Sequence, residues 1–257
     1  MNTNNISNLN NKAIWNKIIG LFMPTKKSEW KLFSVLILSV IIVKSLVFEL
    51  FFVPTGSMEP TIVPGDLIFA TKYNYGYSRY SIWPFSIPFP KENRLFRAEP
   101  KIGEIVMFRA PHKMGKTFVK RLIAKEGDKI QLSNGKLYIN DTIVKKDFIK
   151  SFLNESSEIC HKYKETLPNG TSYIIIENED RGSANRNSPL FCVPKDHYFF
   201  LGDNRDDSSD SRFELGYVPS TNLVAKAHFI IFSMEKFLPP QNLHTERFFL
   251  NVNREIE

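Results

Sequence analysis

Ser57 stands in PTGSMEPT, Pro54 to Thr61, where Gly56 leaves the backbone permissive and Pro54 and Pro60 stiffen the turn. A serine so held can offer its hydroxyl as a nucleophile and its own amide as a donor to an oxyanion. Taken alone, the stretch is a turn containing a serine, and it needs a base. The 5 histidines, His112, His161, His197, His228 and His244, sit in no recognisable triad motif, and no Ser-x-x-Lys begins at Ser57. The remaining route is a serine activated by a neutral lysine. Lys120 is the candidate, because TFVKRLIAKE surrounds it with Phe118, Val119, Leu122 and Ile123. An apolar strand strips water from an ammonium and so favours the neutral amine, whereas an ordinary strand lysine points to solvent.

A third patch, LGDNRDDSSDSR from Leu201 to Arg212, alternates acids, hydroxyls and arginines directly after the apolar HYFF. Such a loop can support an active site, a serine orienting the lysine amine and an Asp–Arg pair locking the turn. A calcium loop is the rival reading, given Asp203, Asp206, Asp207 and Asp210, but the central glycine and terminal glutamate of an EF-hand are missing. No metal or other cofactor is expected.

These patches need a scaffold, and the sequence writes it mostly in strands. DLIFATKY, EIVMFRA, TFVKRLIAKE, TSYIIIEN, HYFFLGD and LVAKAHFIIFS are short β-rich runs, and Asn134-Gly135 between KIQLS and KLYIN is a strong hairpin signal. The expected fold is mostly β: a coiled β-sheet catalytic domain with an inserted second lobe, preceded by one N-terminal transmembrane helix. The run from Leu32 to Val53 has about the 20 residues a bilayer crossing needs, although Lys44 and Glu49 interrupt its second half. A cleavable signal would want small residues after it, and a buried soluble helix would suit the uncharged Leu32–Val43. Lys12, Lys17, Lys26, Lys27 and Lys31 against the single acid Glu29 give the positive flank that places the N-terminus in the cytoplasm. The division expected is a basic cytoplasmic segment 1–31, an anchor 32–53, a catalytic β domain 54–140 with 196–234, an inserted lobe 141–195 and a tail 235–257. Trp83, Phe85 and Phe89, in a Pro-rich stretch, suit either the membrane interface or loop packing.

The net charge of +7 raises nucleic-acid binding, but no basic run or known binding signature supports it, and an anionic lipid surface accounts for it equally. Cys160 and Cys192 make at most one optional disulfide, and two small hydrophobes are the simpler reading.

SMEPT around Ser57, KRLIAKEGD from Lys120 and GDNRDDSSDSR from Gly202, in that order behind an anchor, resemble the bacterial type I signal peptidases. The resemblance runs from Phe51 to about Phe232, is weakest in the insertions, and is absent after Met234. It implies a Ser/Lys serine endopeptidase that cuts preproteins after a small-x-small motif. Matching positions make Ser57 the nucleophile, Lys120 the base and Ser208 a hydrogen-bond partner of the lysine amine. Thr55 would complete the oxyanion hole, Asp210 and Arg212 would form a supporting ion pair, and Phe51, Val53, Phe118 and Val119 would line pockets for alanine-sized side chains. Glu104, where the family usually has Asp, and Glu126, before Gly127 where Pro is common, depart from the pattern without touching the proposed dyad. The implied partners are signal peptides of exported preproteins, the lipid bilayer and a neighbouring secretion translocon, with no nucleic acid. The implied place is the bacterial cytoplasmic membrane, catalytic domain on the outer side. A maturation protease with one dedicated substrate, or an anchored scaffold with a structural serine, are the competing readings.

Overall fold

The computed structural model describes residues 26–81, 94–112, 115–154, 156–178, 186–236 and 241–253. Lys12 and Lys17 of the basic flank, and Trp83, Phe85 and Phe89, lie outside the described residues. Two compact units meet in the sequence between Val43 and Lys44.

Helix α1 covers Lys27–Leu46, a Leu/Ile/Val run free of Gly and Pro, with Glu29 in its first turn and Lys44 in its last, each of the sign that suits the helix dipole. Leu32, Val35, Leu36, Leu38 and Val40 are exposed. Among the described residues no helix is long and apolar enough to cross a membrane. Glu29, Lys31 and Lys44 lie within this one. The helix also stops short of the expected 32–53 span, because the chain turns at Val47 and enters strand β1, Phe48–Phe52. Glu49, which interrupts the apolar run, pairs at 2.8 Å with Lys72, a lysine only 1% exposed and in need of a carboxylate.

The second unit is built on a curled antiparallel sheet. Its order is β1, β2 (Asp66–Thr71), β14 (Leu223–Lys236), β3 (Ile105–Arg109), β4 (Thr117–Lys125), β12 (His197–Leu201) and β13 (Val218–Pro219). Three register shifts along β14 bend it, as an extra residue on one side of a ladder must. The Asn134-Gly135 signal is a hairpin between β5 (Lys129–Ser133) and β6 (Lys136–Ile139), both turn residues having positive φ. This hairpin, with β7 (Thr142–Ile143) and β11 (Phe191–Cys192), forms a second sheet. A third holds β8 (Lys145–Leu153), β9 (Ile159–Thr166) and β10 (Ser172–Asn178).

The expected lobe boundary at 141 does not mark a separate core. Ile123 and Phe199 of the main sheet, Leu132 and Leu137 of the hairpin, and Tyr173 and Ile175 of β10 pack in one cluster. The segment expected to be a tail also belongs to the fold. Strand β15, Gln241–Leu243, pairs with β14, Val252 is buried, and Arg247 clamps Asp66 with bonds of 2.9 and 2.6 Å. Cys160 is buried and Cys192 exposed, and no disulfide joins them.

Candidate active site

Ser57 sits in the connection from β1 to β2. The Val53 amide donates to the Asp66 carbonyl at 2.9 Å and the Gly65 amide to the Val53 carbonyl at 2.8 Å, closing that connection at its base. Lys120 lies on β4, an interior strand, facing Val106 of β3 across the ladder. It is 2% exposed, and its Nζ donates to the Ser57 Oγ. Burial lowers the Lys120 pKa to about 8; Asp210, Asp203 and Asp207 pull it back up, while Arg212 adds to the lowering. At neutral pH a useful fraction of the amine is unprotonated, so its lone pair can accept the proton of the hydroxyl it touches.

The Gly202–Arg212 loop holds both partners' surroundings. Asp210 and Arg212 form the expected pair, bidentate at 2.9 and 2.8 Å and buried, and Asp210 also accepts the Gly202 amide at 3.1 Å. The Asn204 amide donates to the Ser57 carbonyl at 3.3 Å, and its side-chain amide to the Gly56 carbonyl at 3.2 Å. A side chain at Gly202 would overlap that same Ser57 carbonyl and the Ser208 hydroxyl, so only glycine lets the loop lie this close. Ser208 is buried, and its Oγ has no hydrogen-bond partner among the described residues. The expected bond between Ser208 and the lysine amine is therefore not formed.

Two further buried pairs went unread in the sequence. Arg121, next to Lys120, makes a fork to Asp203 at 2.8 and 2.6 Å. Arg205 makes another to Glu165 on β9 at 2.7 and 2.5 Å, with the Tyr173 hydroxyl donating to Glu165 at 2.9 Å. The Arg121 pair had a signal, since a cation amid an apolar interior strand must find a carboxylate. Glu165 had none, being an acid in the alternating run HKYKET. Arginines thus occupy Asp203 and Asp210, and among the described residues no group of three or more His, Cys, Asp or Glu is arranged to hold a metal.

Ser57 and Lys120 open onto a cleft of about 680 Å³. Phe51, Val53, Phe118 and Val119 all line it, as do the exposed Thr55 and Asp207. The sequence-named residues other than Ser208, Asp210 and Arg212 meet there, and those three stand behind it in the supporting loop. A hydroxyl hydrogen-bonded to a desolvated amine at the wall of a largely apolar cleft is an arrangement suited to acyl transfer.

That site and the sheet that carries it define a serine hydrolase, and comparison with known proteins gives the family. The signature of signal peptidase, peptidase S26, matches residues 27–232. A signal peptidase I of Rickettsia massiliae (strain Mtu5) is 46% identical over 219 residues, covering 81% of this chain and 80% of its own. One of Rickettsia conorii (strain ATCC VR-613 / Malish 7) is 47% identical over 219 residues, 81% of this chain and 80% of its own. A signal peptidase I from Enterococcus faecalis V583, solved by crystallography, has 24% identity and a TM-score of 0.30 over 50% of this chain and 97% of its own. The chain belongs to the signal peptidase family, peptidase S26. It is accordingly a serine endopeptidase.

Proposed function

We propose that this protein removes N-terminal signal peptides from exported preproteins, cutting after a small-x-small site with Ser57 as nucleophile and neutral Lys120 as general base. The observation that carries the reading is the buried lysine donating to the serine hydroxyl at the cleft wall. As the hydroxyl attacks the scissile carbonyl, Lys120 takes its proton, and the oxyanion is held by the Ser57 amide and the Thr55 hydroxyl. The protonated amine then gives that proton to the leaving nitrogen. Neutral again, it activates water for attack on the acyl-serine. The open Ser208 hydroxyl is the acceptor that would orient the amine while it carries the extra proton. Phe51, Val53, Phe118 and Val119 leave room for alanine-sized side chains before the scissile bond.

Membrane attachment is part of the proposal. The exposed apolar side chains of α1 between Leu32 and Val43, behind a lysine-rich flank, suit a helix seated in lipid, with the N-terminus cytoplasmic and Ser57 at the outer surface of the cytoplasmic membrane, beside the secretion translocon. Several unrelated preproteins bearing Ala-x-Ala sites, and the same preproteins with Phe in place of either alanine, test the reading in a cleavage assay. Cleavage of the set and resistance of the Phe variants is the expected result. Cleavage of a single preprotein would mark a dedicated maturation protease instead.

A further inference from the structure

A second cleft, of about 720 Å³, shares a lining residue with the dyad cleft. Asp207 lines both. Glu59, two residues past Ser57, and Asn204, whose amide binds the Ser57 carbonyl, belong to the second. Phe152 and Ile176, from the strands of the third sheet, and Val63 and Pro64, from the connection after Ser57, give it apolar walls. Its volume lies within the range of sites that enclose a ligand.

A peptide held at Ser57 by its scissile carbonyl must extend both ways from that bond. If the residues before the bond fill the part of the cleft beside Phe118 and Val119, the side of Asp207, which both clefts share, is a route open to the residues after it. An extended chain advances about 3.3 Å per residue, so the first two or three residues span about 7–10 Å from the bond. We infer that the second cleft receives the first residues of the released chain. We further infer that Asp207, shared by the two clefts, with Glu59 and Asp206 in the second, makes this cleft favour basic over acidic residues there. The inference rests on the proteolytic reading above.

The charges of the cleft are mixed, which limits the size of the preference. His244 also lines it, and Lys162, which stacks on Phe152 at 5.1 Å, interacts with Glu59. Asp206 accepts the Asn178 amide at 2.8 Å and is anchored at the wall. Charges of this partly solvated kind act weakly one at a time, so replacing a basic residue by an acidic one is expected to lower kcat/KM by about fivefold, less at high salt.

The test uses full-length protein and a set of preproteins identical through the Ala-x-Ala site, with Lys, Ala or Asp at the second and third positions after it. The ratio of kcat/KM for Lys over Asp substrates is read in wild type, Glu59→Gln, Asp207→Asn and the double variant. A ratio within one enzyme cancels any change in the dyad itself. The wild type is expected to show a ratio of about five, falling toward one in the double variant and in high salt. Equal cleavage of all three substrates by wild type, or an undiminished ratio in the double variant, overturns the inference and leaves the proteolytic reading intact. If wild type cleaves none of them, the proteolytic reading falls and the inference falls with it.

Discussion

Burying Lys120 costs the folded state something so long as the amine is charged, and in the proposed mechanism that cost prepares it to act as a base. Its pKa of about 8 lies below the 10.5 of a free lysine, so between these values the unfolded chain holds a proton that the folded protein has shed. Stability therefore rises with pH through that window and is penalised below it. Lys120→Met is expected to be more stable than wild type at pH 6–7, by up to about 3 kcal/mol, with the advantage gone above pH 10.5; denaturant unfolding at several pH values measures this. Catalysis should follow the same titration. Below pH 8 kcat/KM is expected to climb about tenfold per pH unit and then level off, and a profile flat across pH 6–9 would exclude Lys120 as the base. Ser57 as a candidate nucleophile and Lys120 as a candidate base were legible in the sequence, with the Gly202–Arg212 loop narrowing the reading. Ser208 was not. Its hydroxyl faces no partner, and side-chain orientation in a crowded loop cannot be read from a motif.

At the scale of elements, the Gly202–Arg212 loop determines where Ser57 sits. Gly202→Ala is expected to displace the Ser57 carbonyl, destabilise the protein by about 1–3 kcal/mol and lower kcat by a hundredfold if the hydroxyl moves about 1 Å. The loop is held in turn from the third sheet. The Arg205 amide donates to Ile176 on β10 at 2.9 Å, and the Arg205 guanidinium meets Glu165 on β9. Removing the acid strands a buried cation, so Glu165→Gln is expected to cost about 3–5 kcal/mol in thermal or denaturant unfolding. The double variant Glu165→Gln/Arg205→Met should recover part of that. Strands and the Asn134-Gly135 hairpin were visible in the sequence because alternation and turn chemistry are local. The Arg205–Glu165 pair spans 40 positions in sequence, and no local pattern announces it. Likewise the switch from helix to strand at Val47 was hidden, because an apolar run such as LVFELFFV fits either element until Glu49 finds Lys72.

For the whole molecule, packing joins stretches that composition sets apart. One core joins the main sheet, the hairpin and β10, and Arg247 ties the C-terminal segment to Asp66 beside the Ser57 connection. Boundaries drawn from composition missed this, since polar stretches such as 141–195 still contribute Tyr173 and Ile175 to the interior. The helix sets the other large-scale expectation. Leu36→Lys with Val40→Lys adds about 2.5–3.5 kcal/mol per charge to insertion if α1 lies in lipid, so the double variant is expected to leave the membrane fraction under alkaline extraction while wild type stays. Wild type released under the same extraction would contradict an anchor.

The pairing of Ser57 with Lys120 is tested most directly by preprotein cleavage with purified wild type, Ser57→Ala and Lys120→Met, each shown to be folded by its unfolding transition. Both variants are expected to fall to background on an Ala-x-Ala preprotein that wild type cuts at a single site. Either folded variant cutting at the wild-type rate would contradict the account.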